Sequence, residues 1–301
     1  MIPRNAYTYS PEQHPNLIVG SLQLLCWMFF RPSAWNNHLT SIDPAFNRNA
    51  PRYSRFRWRN LALWRLFFQG FILLPILANI VRGLVLWGLG ESFEEIVAQV
   101  ARGLGFGIWY GLFFGMTFSV AYSLFFGVTF GIAFGVTLGM AFNVAFDMAF
   151  GVTFGIALGI VFGVLSLILG VTFGLMFGVY YSTVFGYGME EGIVLSLKFG
   201  LAVGLGVKIN SWRPLVFYPF VTVWNNFLYR LNLRFAQGNY SFLRWNCAFW
   251  DEWQYLPLQG LDKHIILVME RNPDEGMAAI EYLSTSRQRW AAQVAQIELD
   301  A

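Results

Sequence analysis

The chain has 301 residues, of which 56% are hydrophobic, 19% aromatic and only 12% charged. Soluble domains carry about 25% charged residues, so this composition excludes an ordinary water-soluble globular protein. The formal net charge of +3 says little by itself; where the charges fall says more.

Residues 1–57 are rich in proline and asparagine. Their one apolar run, Asn16 to Phe30, is too short to span a bilayer. It also lacks the basic start and small-residue cleavage site of a secretory signal. A basic, amphipathic membrane-surface segment is expected here. Residues 1–66 carry Arg4, Arg31, Arg48, Arg52, Arg55, Arg57, Arg59 and Arg65 against Glu12 and Asp43. Such a cluster can bind nucleic acid, but beside a hydrophobic span it reads as a topology signal. Arg52, Arg55, Arg57 and Arg59 are the topology-setting residues, and no nucleic-acid partner is expected.

The first expected span is 60–89, which Pro75 kinks or tilts and from which Arg65 and Arg82 snorkel to opposite interfaces. ESFEEIVAQVAR follows and reads as a short interfacial helix. From Gly103 to Gly188 the only formal charge is Asp147. Glycine recurs there every fourth residue: Gly103, Gly107, Gly111 and Gly115; then Gly127, Gly131, Gly135 and Gly139; then Gly151, Gly155, Gly159 and Gly163. Ser119 and Ser123 fill the first gap in this phase, and Asn143 and Asp147 the second, so the repeat is 24 residues long. An α-helix of that length rises about 36 Å, one bilayer crossing plus a turn.

Glycines four apart lie nearly on one helix face and let backbones approach, the small-xxx-small packing of membrane helices. Gly107 to Gly163 are therefore the candidate helix-packing residues. Thr117, Thr129, Thr137, Thr153 and Thr172 can return their hydroxyls to the helix backbone. The same residues also alternate small and large, as a strand would, but a hairpin array needs turn signals that are missing.

Further spans at 103–120, 124–142, 148–166, 169–188 and 192–208 make six crossings. The basic segments 48–59 and 208–244 then share the cytoplasmic side with both termini, and Glu91, Glu94, Glu95, Asp147, Glu190 and Glu191 lie opposite. Asn143 and Asp147 are either an ion site or a turn at the water interface. The turn is favoured, because a carboxylate near an interface costs little.

The domain division is 1–57, 58–210 and 211–301. SWRPLVFYPFVTVWNNFLYRLNLRF (211–235) is aromatic and basic, as an interfacial belt would be. From Pro273 onward two helices are expected, the first capped by Asp274, with Ala278, Ala279, Tyr282 and Leu283 on one face. The stop at Ala301 lacks a capping signal, as expected of a chain that ends inside a helix. Cys26 and Cys247 form no metal-ligand pattern, and a reduced compartment is the default. No phosphate loop occurs. His14, His38 and His264 are scattered, and nothing pairs a nucleophile with a base. No catalytic residue, metal or cofactor is expected, and the chain is read as a non-enzyme.

FFRPSAWNNHLTSIDPAF (29–46), the tetrads from 103 onward and EYLSTSRQRWAAQVAQIELDA (281–301) together resemble a bacterial membrane module. That module accompanies STAND/NACHT-type signalling NTPases and their helical-repeat sensors. The resemblance implies a membrane-embedded output or anchor in a signalling or defence system of the bacterial inner membrane, with an NTPase as partner. It brings no catalytic residues. The sequence thus predicts an all-α, multi-pass membrane protein whose partners are the lipid bilayer and further copies of itself. Three roles are open: an effector or channel-like module, a passive anchor for a cytoplasmic helical sensor, and a small transporter.

Overall fold

The computed structural model describes residues 7–47, 60–121, 124–141, 189–207, 209–235 and 241–300, with a few positions between 172 and 183. Among these residues the chain is helical and contains no strand. The period-two reading of the glycine tetrads therefore fails wherever they are described. The chain divides into two compact units, one of residues 13–25 and 38–209, the other of residues 1–12, 26–37 and 210–301. Helix α1 (Leu17–Phe30) and helix α2 (Pro32–Ile42) each contribute residues to both units.

In the first unit, helix α3 runs from Leu61 to Gly88. Asn60 caps it by accepting a hydrogen bond from the Ala62 amide. Between Phe68 and Leu73 the helix widens into a π-turn. Pro75 explains this: it has no N–H, and its ring presses on the carbonyl one turn back, so a wider turn relieves the clash. The Asn79 amide donates to the Pro75 carbonyl at 2.9 Å.

Gly90, at φ 89°, turns the chain into helix α4 (Phe93–Ala121). Most of the expected interfacial helix ESFEEIVAQVAR is thus the opening of α4 rather than a separate element. Ser92 accepts a hydrogen bond from the Glu95 amide, and Glu94 and Glu95 place negative charge at the helix start, so nothing breaks the helix before its apolar part. Helix α5 (Leu124–Ala141) follows, and helix α6 (Met189–Val207) closes the described part of this unit.

Two helical segments among the described residues are long and apolar enough to cross a membrane: Leu61–Gly88 (28 residues, mean hydropathy 1.9) and Phe93–Thr117 (25 residues, mean hydropathy 1.2). Both turn large apolar side chains outward. Leu61, Leu84 and Trp87 on α3 are exposed, as are Trp109, Phe113 and Met116 on α4. Inside, Leu63, Leu66 and Phe71 of α3 are buried with Phe125, Phe130 and Ile132 of α5.

The second unit is built on helix α7 (Ile209–Arg234), helix α8 (Leu261–Arg271), helix α9 (Pro273–Ser284) and helix α10 (Arg289–Asp300). Its core joins Val221 of α7 to Phe249, Ile265, Val268, Tyr282, Leu283 and the alanine face of α10, namely Ala291, Ala292 and Ala295. Tyr7 and Tyr9 pack on the same core. The Tyr7 ring meets Phe249 edge-on at 4.8 Å, and Tyr9 stacks on Tyr282 at 4.6 Å. These units cut across the division 1–57, 58–210 and 211–301, because two N-terminal pieces complete the C-terminal core.

The two expected terminal helices form as α9 and α10. The cap of α9 is Asn272 rather than Asp274: its side chain accepts from the Glu275 amide, and Pro273 takes the first helical position. Proline's fixed φ suits that position, which moves the cap one residue upstream.

Candidate functional site

The glycines of α4 and α5 meet in antiparallel register. Gly111 faces Gly131, Gly107 faces Gly135 and Gly115 faces Gly127; each step of four along one helix is matched by a step of four back along the other. A methyl group at Gly111 would lie 3.0 Å from both the Gly131 carbonyl oxygen and the Gly135 Cα. At Gly131 it would lie 2.6 Å from the Gly111 oxygen and 2.8 Å from the Gly115 Cα. At Gly135 it would lie 3.1 Å from the Gly107 oxygen. Only hydrogen fits in such gaps, so Cα–H groups of one backbone face carbonyls of the other.

Where glycine gives way to Ser119, the hydroxyl returns to the Gly115 carbonyl at 2.6 Å. Thr129 does the same to Phe125 at 2.8 Å. The register is sealed from the α3 side. The Phe71 ring lies against Gly115 and Gly131, and Pro75 lies against Gly135.

Gly139 belongs to α5. The other expected sites, Gly151, Gly155, Gly159, Gly163, Asn143 and Asp147, lie outside the described residues, as do the topology-setting Arg52, Arg55, Arg57 and Arg59.

Several polar groups of this unit are inside. Arg82 is buried and donates to Gln99 Oε1 on α4 at 2.9 Å. It does not reach outward as expected, because a partner on the neighbouring helix satisfies it. Arg65 donates to the His14 and Pro15 carbonyls at 2.7 and 3.1 Å. Gln69, fully buried at the π-turn, accepts from Gln13 at 2.8 Å and donates to the Leu17 carbonyl at 3.0 Å.

The other unit holds two ion pairs that no sequence motif announces, one buried on both sides and one partly exposed at Glu252. Arg213 Nη2 meets Asp251 Oδ1 at 2.5 Å, and both groups are over nine-tenths buried. Arg213 also donates to the Phe29 carbonyl at 3.2 Å and lies 4.7 Å over the Phe30 ring. Burial pushes the Asp251 carboxyl up, while Arg213 beside it pulls it partway back. Arg31 pairs with Glu252 at 3.9 Å, and Glu252 also accepts from the Ser33 hydroxyl and amide. The only signal available in the sequence was arginine or acid embedded in aromatic runs, where a buried charge needs a partner.

Beside these pairs lies a cavity of about 270 Å³. Tyr9, Glu252, Trp253, Gln254, Tyr282 and Arg287 are among its walls. Gln288, also in its wall, holds the neighbouring loop by donating to the Gln254 and Leu256 carbonyls, each at 2.9 Å. The Cys247 thiol is buried and pushed up by that burial, which makes it unreactive. Among the described residues no group of three or more His, Cys, Asp or Glu is placed to hold a metal ion.

His264 sits wholly inside this core, and burial brings its pKa down to about 4. The unfolded chain takes up a proton near pH 6.5, which the folded chain refuses until about pH 4. Stability contributed by the neutral ring is therefore complete above pH 6.5 and lost as pH falls toward 4, on the order of 3 kcal/mol at most. His264→Leu should flatten that part of the curve of unfolding midpoint against pH. An unchanged slope would assign the acid sensitivity elsewhere.

Comparison of the chain with protein-family models, with curated proteins and with solved structures gives no match.

Proposed function

We propose that the chain is a multi-pass membrane protein of the bacterial inner membrane that works by rearranging glycine-faced helices, as an effector or channel-like module and not as an enzyme. One observation carries this reading. Backbones meet at glycine inside the bundle while Leu61, Leu84, Trp87, Trp109 and Met116 face out. Water penalises a large, contiguous exposed apolar face; lipid does not, and in lipid helices associate through close backbone packing instead.

Six crossings with both termini cytoplasmic extend the glycine packing to the whole repeat. Like glycine faces on separate copies would build a homo-oligomer. Smooth glycine faces permit sliding and repacking, which supplies two packed states for a signal to choose between. The signal source implied by the sequence resemblance is a STAND/NACHT-type NTPase.

The test is induced expression with a potential-sensitive dye. Collapse of membrane potential that disappears in Gly131→Leu supports the effector. Intact potential at matched protein levels sinks it.

The anchor is kept as a second reading because of the compact tail unit. Its polar cavity beside the two ion pairs offers a scaffold for a soluble partner without any helix rearrangement. An inert chain whose tail recruits that partner to membranes would favour the anchor.

A further inference from the structure

We propose that α7 lies along the bilayer surface, with an apolar stripe in the acyl–headgroup boundary and its C-terminal arginines on anionic phospholipid headgroups. This rests on the membrane reading of the helices before it.

The rotation of α7 is fixed from within its own unit. Asn225 Oδ1 accepts from the Cys247 amide at 3.1 Å, and Asn232 Oδ1 accepts from the Phe242 amide at 2.9 Å. Asn225, Asn232, Val221 and Leu228 are all buried. With that side turned inward, Val216, Phe220, Val223 and Phe227 face out at spacings of four, three and four, each at least 50% exposed. That is one continuous face of a helix. Phe217 and Trp224 flank it.

Arg230 and Arg234, both exposed, continue the same face beyond Phe227. No Asp or Glu occurs between residues 209 and 250, so nothing on this segment neutralises them. An apolar stripe with interfacial aromatics and a basic end is the pattern of a helix lying in the headgroup plane. A soluble partner would have to be both apolar and acidic along 26 residues. An anionic bilayer is both, and it is delivered by connectivity: in sequence only Lys208 separates α7 from α6, whose Leu197, Leu201 and Leu205 face out.

The test uses the full chain reconstituted in phosphatidylcholine vesicles with and without phosphatidylglycerol. Nitroxide labels are placed at Val223→Cys, Phe227→Cys, Asn226→Cys and Trp109→Cys. Cys26 is replaced by Ser, and Cys247 is shielded by burial. Power-saturation EPR then compares oxygen with a water-soluble nickel relaxant. Labels at 223 and 227 should be several-fold richer in oxygen contact than the label at 226. Phosphatidylglycerol should strengthen this, and each of Arg230→Gln and Arg234→Gln should lower the docked-to-undocked ratio roughly fivefold.

Aqueous labels at 223 and 227 with a lipid-buried label at 109 overturn the placement of α7 alone. An aqueous label at 109 overturns the membrane reading as well. Spin–spin broadening at 223 in dilute vesicles would assign the stripe to a second copy and overturn the lipid assignment.

Discussion

Gly131→Ala destabilises the bundle by about 1–3 kcal/mol or more, while Gly105→Ala leaves it unchanged or raises it by roughly 0.5–1 kcal/mol. Both glycines lie inside helices with neighbouring phases of the same repeat, so helix propensity alone favours alanine at each. Surroundings separate them. A methyl group at Gly105 meets nothing within 4 Å. At Gly131 it meets the Phe71 ring first, but also the Gly111 oxygen at 2.6 Å and the Gly115 Cα at 2.8 Å, and neither backbone can yield without parting the helices.

Gly115→Ala is an intermediate case. Its nearest neighbours are side-chain atoms, Phe71 Cε1 at 2.9 Å and Cζ at 3.1 Å, and the Gly127 oxygen is a tolerable 3.5 Å away. Adding Phe71→Leu should therefore rescue much of the loss in Gly115→Ala and little of that in Gly131→Ala. Circular-dichroism melts of the five variants in one detergent decide the matter. Equal midpoints for Gly105→Ala and Gly131→Ala would mean that the seam does not hold α4 to α5.

Much of this seam was legible in the sequence because it follows from geometry with a fixed period. Glycine at every fourth position can only describe a face, and a face without side chains can only be useful against another backbone. The antiparallel register follows from the break expected between the spans 103–120 and 124–142: helix α4 ends at Ala121 and α5 starts at Leu124. The start of α4 at Phe93 is harder to read from the sequence. Glu94 and Glu95 read as a boundary between water and lipid, yet acidic residues also stabilise a helix N-terminus, and the helix simply runs through.

Least legible was the tail core. Tyr7 and Tyr9 lie more than 260 residues from their partners Glu275 and Thr285. No local period links such positions, and only long-range packing brings them together. The same holds for Arg213 and Asp251, which look like members of a basic belt and of a loop.

That ion pair gives the last expected result, an asymmetry between its two halves. Asp251→Ala leaves the Arg213 guanidinium buried without its carboxylate, a group that cannot shed its charge, and removal of one partner from such a pair costs about 3–5 kcal/mol. Arg213→Met leaves a carboxylate instead, and a carboxylate can take up a proton. Burial already raises the Asp251 pKa in the wild type, and loss of the cation raises it further. A carboxyl whose folded pKa lies above its unfolded value of 3.8 favours the fold below that pH and loses the advantage as pH rises through the folded value. The deficit of Arg213→Met relative to wild type should therefore be largest at neutral pH and shrink as pH falls toward 4. That of Asp251→Ala should persist, because no proton equilibrium relieves an arginine. Referring each variant to wild type at the same pH cancels the contribution of His264. Urea unfolding followed by tryptophan fluorescence at a series of pH values reads both curves. Parallel curves would mean that the pair is solvated in the folded chain, and its place as the buried tie between α7, the end of α1 and the Asp251 loop would be lost.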